Sequence, residues 1–191
     1  MPSTLSDLSR PIHAVRFYES QDSLALTVAD FIGDEGLALG DPAIVVVTPP
    51  QRTAILAELR SRGFDVERAI IAGDLVVLDA EETIAALMVD GVLDETRFRT
   101  LVPATLESLR RGRRDCTIRA YGEMVHLLWQ AGQPDAAIRL EALWNEIAPT
   151  YDLWILCGYA ATSVYTGCGM QDICAQHTHV IGRTPRVSPS A

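Results

Sequence analysis

The stretch Gly40-Asp-Pro-Ala-Ile-Val-Val-Val-Thr48-Pro-Pro50 holds an apolar run that no polar residue interrupts, with a turn signal before it and a proline pair after it. A half-exposed strand alternates apolar and polar side chains. A strand that is apolar at every position is covered on both faces, as in a parallel sheet. Ala43 to Thr48 therefore reads as such a strand. Pro50 suits the first helical turn, where its missing N–H would have found no intrahelical partner. Ile55, Leu56 and Leu59 give the following helix an apolar face, and Gly63 ends it. The stretch is one strand–helix unit.

The same alternation extends in both directions. Upstream, His13 to Tyr18 reads as a strand, and Ser20 or Asp22 can cap a helix with Leu24, Val28, Phe31 and Ile32 on its face. Downstream, Ala69 to Ala72 fits a minor strand or a loop, and Leu75 to Asp79 fits a second buried strand. A short helix from Glu81 to Met88 and a loop through Asp90 and Gly91 lead to a long helix from Glu95 to about Arg111. Its face, Phe98, Leu101, Val102, Thr105, Leu106 and Leu109, has helical spacing. Cys116 to Tyr121 is a strand that turns at Gly122 into a helix with Met124, Val125, Leu128 and Trp129. Pro134 opens another helix, with Ala137, Leu140, Trp144 and Ile147 on its face. Leu153 to Tyr159 is a third buried strand. A short helix near Asp172 to Gln176 and an edge strand at His179 to Ile181 close the pattern. Residues 1–11 and 182–191 are aperiodic and read as flexible tails around a single domain, 12–181. The fold class is α/β: a mostly parallel central sheet with helices on both faces, a three-layer sandwich.

Composition narrows the chemistry. The chain has 191 residues and is 48% apolar, which suits one domain with a full core. Its apolar runs are far shorter than the ~20 residues of a membrane helix. Met1 to Ile12 has no basic and apolar leader pattern, so the expected location is the cytoplasm. All 16 basic side chains are arginine and none is lysine. That excludes a P-loop, whose lysine reaches the β/γ-phosphates, and every Schiff-base cofactor. A net charge of −9 argues against direct nucleic-acid binding. Arg110, Arg111, Arg113 and Arg114 form the one basic cluster, at the end of a predicted helix, where cations complement the helix dipole.

In open parallel sheets, ligands bind beyond the carboxyl ends of the strands. Those ends place the expected ligand site at Tyr18, Glu19, Thr48, Arg119, Glu123 and Tyr159, with His177 closing it. Arg119 and Glu123 fit either an internal ion pair at the strand-to-helix turn or the rim of a pocket. His13 reads as structural. Cys168, Cys174, His177 and His179 have metal-ligand chemistry, but their spacing matches no common zinc module. Cys116 and Cys157 read as small core residues inside strands, and the three tryptophans as core. Neither a metal nor a cofactor is expected, and no nucleophile motif is present.

Four features together resemble one family. They are His13-Ala-Val-Arg-Phe17-Tyr18-Glu19; Gly40 to Thr48 with Gly63-Phe64-Asp65; Arg119-Ala-Tyr-Gly122-Glu123-Met124 with Leu140-Glu141-Ala-Leu-Trp144-Asn145; and Ile173-Cys174-Ala-Gln-His177-Thr-His-Val180. The chain resembles the MEDS family, the methanogen/methylotroph, DcmR sensory domain. The resemblance implies a RecA/KaiC-like fold without nucleotide machinery. Thr48-Pro49-Pro50-Gln51 stands where KaiC-like ATPases tend to carry paired acidic residues. It also implies a non-catalytic sensory domain that binds a small molecule and regulates a separate histidine kinase or transcription regulator. The long helices at 95–111 and 134–148 are candidates for a homodimer or partner face. Two other readings remain. One is a degenerate nucleotide hydrolase, with Arg119 as phosphate clamp and Glu123 as base; the other is a scaffold that binds no ligand.

Overall fold

A computed structural model describes residues 12–113, 115–164 and 169–181. The two tails, Arg114 and Cys168 lie outside the described residues. The chain begins with β1 (His13–Tyr18) and α1 (Gln21–Ala29), which runs on into a π turn (Asp30–Asp34) and a 3₁₀ turn (Leu37–Leu39). Then come β2 (Ala43–Val47), α2 (Pro49–Ser61), α3 (Val66–Ala72), β3 (Leu75–Asp79) and α4 (Ala80–Leu87). A hairpin of β4 (Met88–Val89) and β5 (Val92–Leu93) precedes α5 (Glu95–Arg110). The last third holds β6 (Ile118–Gly122), α6 (Met124–Gln130), α7 (Pro134–Tyr151), β7 (Leu153–Ala160), α8 (Ala161–Val164), α9 (Gly169–Gln176) and β8 (His179–Ile181).

Six strands form one sheet in the order β3-β2-β6-β7-β1-β8, and every pairing is parallel. Parallel neighbours need crossovers, so each strand alternates its side chains between two helical layers. Ala14, Val45, Tyr121 and Leu156 face α1, α2 and α3. Val15, Phe17, Ile44, Ala120, Ile155 and Cys157 face α4, α5, α6, α7 and α9. The fold is the expected three-layer α/β sandwich.

Local chemistry sets the helix ends. Ser20, Asp65, Asp79 and Asp94 each accept a backbone N–H from the first turn of the helix that follows. Arg110 and Arg113 donate to the carbonyls of Tyr151 and Leu109, which is the helix-end role expected of the basic cluster.

Three local expectations are corrected. The segment at Ala69 to Ala72 is helical: Asp65 caps α3 and Gly73, at φ +70°, ends it. Leu75 to Asp79 is an edge strand, fully buried only at Leu75. The loop at Asp90 and Gly91 is the turn of a hairpin, with both residues at positive φ as such two-residue turns require.

At the centre of the sheet, a Cβ on Gly158 would stand 2.7 Å from the Tyr121 hydroxyl. That hydroxyl is buried and has no hydrogen-bond partner among the described residues. Gly158→Ala should cost about 1–3 kcal/mol through overpacking, measured by urea unfolding. Tyr121→Phe alone should be close to neutral, since it removes an unpaired polar group. In the Gly158→Ala background it should recover more than half the loss. Strictly additive losses would refute the contact.

Candidate functional site

At the carboxyl edge of the sheet, Tyr18, Thr48 and Glu123 come together. The Thr48 N–H, at the start of α2, donates to Glu123 Oε1 at 2.6 Å. The Glu123 N–H donates to the Val46 carbonyl at 3.1 Å, which fixes the turn out of β6. Burial raises the Glu123 carboxyl, and the Thr48 amide works against that rise. The Tyr18 hydroxyl is pushed up to about 12 by burial and, secondarily, by the charge of Glu123. Glu19 is exposed beside the Ser20 cap.

Arg119 is not at this edge. β6 starts at Ile118, two residues later than expected, so Arg119 lies at the amino end of the strand. Glu123 is four residue steps further along the chain, roughly 13 Å, and the two cannot pair. Its guanidinium lies 4.3 Å from the Trp154 ring centroid and 5.3 Å from that of Phe31. Glu35 at 3.7 Å and Asp41 at 3.8 Å balance its charge.

A cleft of about 260 Å³ opens on the α5 side of the sheet. Ile44 and Val46 of β2, Leu78 of β3, Leu87 of α4, Val102 and Leu106 of α5, Met124 and Trp144 line it. Its polar members are mostly committed locally. Asp79 caps α4, Thr83 donates to the Asp79 carbonyl and Thr105 to the Leu101 carbonyl. None of the seven expected site residues lines this cleft. A smaller void of about 30 Å³ shares Ile44, Val46, Met124 and Trp144 with it and continues to Tyr121 and Cys157.

Cys157 leads to a buried polar cluster. Glu141, on the inner face of α7, is fully buried. Its Oε2 lies 3.0 Å from His13 Nε2 and 3.3 Å from Cys157 Sγ. Its Oε1 accepts from the Tyr159 hydroxyl at 2.9 Å and lies 3.4 Å from His177 Nε2. The two imidazoles pack against each other tilted by 50°, with centroids 4.3 Å apart. Despite its burial, the Glu141 carboxyl is held well below the usual carboxylate range by both histidines. Burial and the Glu141 charge raise the Cys157 thiol and the Tyr159 hydroxyl. Of the expected residues, Tyr159 and His177 thus meet here. Sequence reasoning missed His13, Glu141, Asn145 and Cys157 as members of one group. The available signal was a carboxylate and an amide, Glu141 and Asn145, four residues apart and interleaved with the apolar face of α7.

Residues 12–178 match the family description "MEDS: MEthanogen/methylotroph, DcmR Sensory domain". The chain belongs to the MEDS family. The match spans most of the chain, from the start of β1 to the link before β8, so the Glu141 cluster, the cleft and the carboxyl edge all lie within the MEDS domain. A sensory role follows from that membership. No curated protein matches the chain.

Between the two polar groups lies His126 of α6, 5% exposed. Its ring packs edge-on against Tyr18 and Tyr159. Burial pulls its pKa from 6.5 down to about 4, so the native protein holds it neutral. The unfolded chain then binds more protons than the native state below pH 6.5. This contribution to stability is complete above that pH and is lost as pH falls through 4. His126→Phe should flatten the decline of unfolding free energy between those limits, followed by denaturant titration at stepped pH. An unchanged slope would count against a neutral buried histidine.

Proposed function

We propose that this MEDS domain senses a compact apolar molecule bound in the cleft between β2, β3, α4 and α5, and reports its occupancy to a signalling partner. The cleft itself carries the reading: a concavity of about 260 Å³ with an aliphatic and aromatic lining and few uncommitted polar groups. An apolar cavity of about 150 Å³ is already enough to take up benzene, and drug-sized ligands occupy about 300–1,000 Å³. The size therefore favours a small hydrocarbon-like ligand over a nucleotide. The missing lysine supports the same choice, and a RecA/KaiC-like fold without its nucleotide machinery is part of this reading.

The partner in this reading is a histidine kinase or a transcription regulator, engaged through the outer faces of α5 and α7. Leu101, Val102 and Leu106 of α5 and Trp144 of α7 line the cleft. On their outer side, Glu95 and Arg99 of α5 and Arg139 and Glu146 of α7 form a closed ring of ion pairs. Insertion of a ligand under α5 changes the spacing that this ring records. A ligand shifts such an equilibrium only by its differential affinity for the two arrangements.

Toluene tests the site directly. Methyl-detected NMR of the full chain should show saturable shifts confined to the methyl groups lining the cleft, Ile44, Val46, Leu78, Leu106 and Met124 among them. Val46→Phe, which fills the cleft, should weaken toluene binding at least tenfold while the protein stays folded. Absence of saturable shifts, or equal binding by Val46→Phe, would remove the cleft as the ligand site.

A further inference from the structure

The hydrogen bonds around the two histidines determine where their protons sit. The Asn145 side-chain N–H₂ donates to the Gln176 carbonyl at 2.8 Å. A carbonyl only accepts, so the amide orientation is settled and Asn145 Oδ1 faces His13 Nδ1 at 2.9 Å. His13 Nδ1 therefore carries a proton. His177 Nδ1 lies 2.6 Å from the Ile173 carbonyl, and by the same logic it too is a donor. In the neutral rings both Nε2 atoms are left as bare lone pairs. Both point at Glu141, one toward each carboxylate oxygen. The His177 side chain is fully buried, and its Nε2 has no hydrogen-bond partner among the described residues. Two lone pairs aimed at a carboxylate, with a thiol beside them, repel unless positive charge lies between. That charge is either a second proton on each ring, which pairs the imidazolium ions with Glu141, or one metal ion shared by the four groups.

We propose that His13, Glu141, Cys157 and His177 form a closed tetrahedral site for one late first-row divalent ion, Zn²⁺ by the chemistry of its donors. The four ligand atoms lie within 4.8 Å of one another. Zinc bonds of about 2.0–2.3 Å set tetrahedral ligand atoms roughly 3.3–3.6 Å apart. Glu141 Oε2 lies 3.0 Å from His13 Nε2 and 3.3 Å from Cys157 Sγ, His13 Nε2 lies 3.3 Å from Cys157 Sγ, and His177 Nε2 lies 3.4 Å from the other carboxylate oxygen, Oε1. Shifts of up to roughly 1 Å in the wider pairs complete the geometry. Thiolate and imidazole donors select against Mg²⁺ and Ca²⁺. The surroundings are those of a metal site: each ligating imidazole donates its other N–H to a carbonyl oxygen, and the carboxylate accepts from Tyr159. On binding, the Cys157 thiol loses its proton to solvent and its sulfur bonds the ion. The site joins β1, β7, α7 and the link between α9 and β8, and it stands whether or not the cleft takes a ligand.

The experiment uses the full chain, stripped with a chelator under reducing conditions and titrated with Co²⁺ as a spectroscopic stand-in. One cobalt per chain should produce intense tetrahedral ligand-field bands and a thiolate-to-cobalt charge-transfer band. Cys157→Ser should lose the charge-transfer band, and Cys174→Ser and His179→Ala should keep both signals. If Cys157→Ser does not fold, the wild-type protein still decides. Zn²⁺ at a hundred times its dissociation constant should raise the melting midpoint by about 5–10 °C. A folded wild type with no tetrahedral cobalt spectrum and no zinc-dependent midpoint would overturn the site. So would a charge-transfer band that survives Cys157→Ser and disappears in Cys174→Ser.

Discussion

Glu141 is the constraint on which this layer of the molecule depends. A carboxylate with no solvent exposure is among the most expensive groups to bury, and it is tolerated only when its charge is matched and its lone pairs are filled. The protein meets that requirement from three directions. β1 supplies His13, β7 supplies Cys157 and Tyr159, and the link after α9 supplies His177. Satisfying one side chain on α7 thus dictates how the last elements of the domain dock. Neighbouring hydrogen bonds tighten the arrangement. Asn145 holds the end of α9 through the Gln176 carbonyl, and Thr178 exchanges side-chain and backbone hydrogen bonds with His13. A three-residue edge strand, β8, would have little hold on the sheet without them.

The two faces of the sheet divide the work. Toward α1, α2 and α3 the sheet packs against aliphatic and aromatic side chains. Toward α4, α5 and α7 it leaves the cleft, and the same face carries the buried polar cluster. Trp144 lines the cleft, and Glu141 and Asn145 lie within one turn of it on α7. One rigid helix therefore borders both sites, with Cys157 at the end of the void between them.

Much of the architecture was legible in the sequence because its determinants are local. The apolar run Ala43 to Val47, the face of α5 and the glycine and proline boundaries read through to the structure. α3 was not legible, because a seven-residue helix offers too few turns for its period to stand out and Ala69 to Ala72 resembles a strand by composition. Arg119 was read against a strand starting at Cys116; the strand starts at Ile118, which makes Arg119 its second residue, near the amino end.

The polar cluster was hidden for a different reason. His13 and Cys157 are 144 positions apart, so no motif spacing can join them; only parallel pairing of β1 with β7 does. The one local clue was Glu141, four residues after Ala137 and three before Trp144, on the face that the apolar periodicity assigned to the core.

Native-state hydrogen exchange on Glu141→Gln, compared with wild type, tests most directly whether this carboxylate anchors the end of the domain. The account predicts a selective loss of protection in α9 and β8, with β2, β3 and α2 unchanged. Full protection of α9 and β8 in the variant, or an equal loss across the whole sheet, would contradict it.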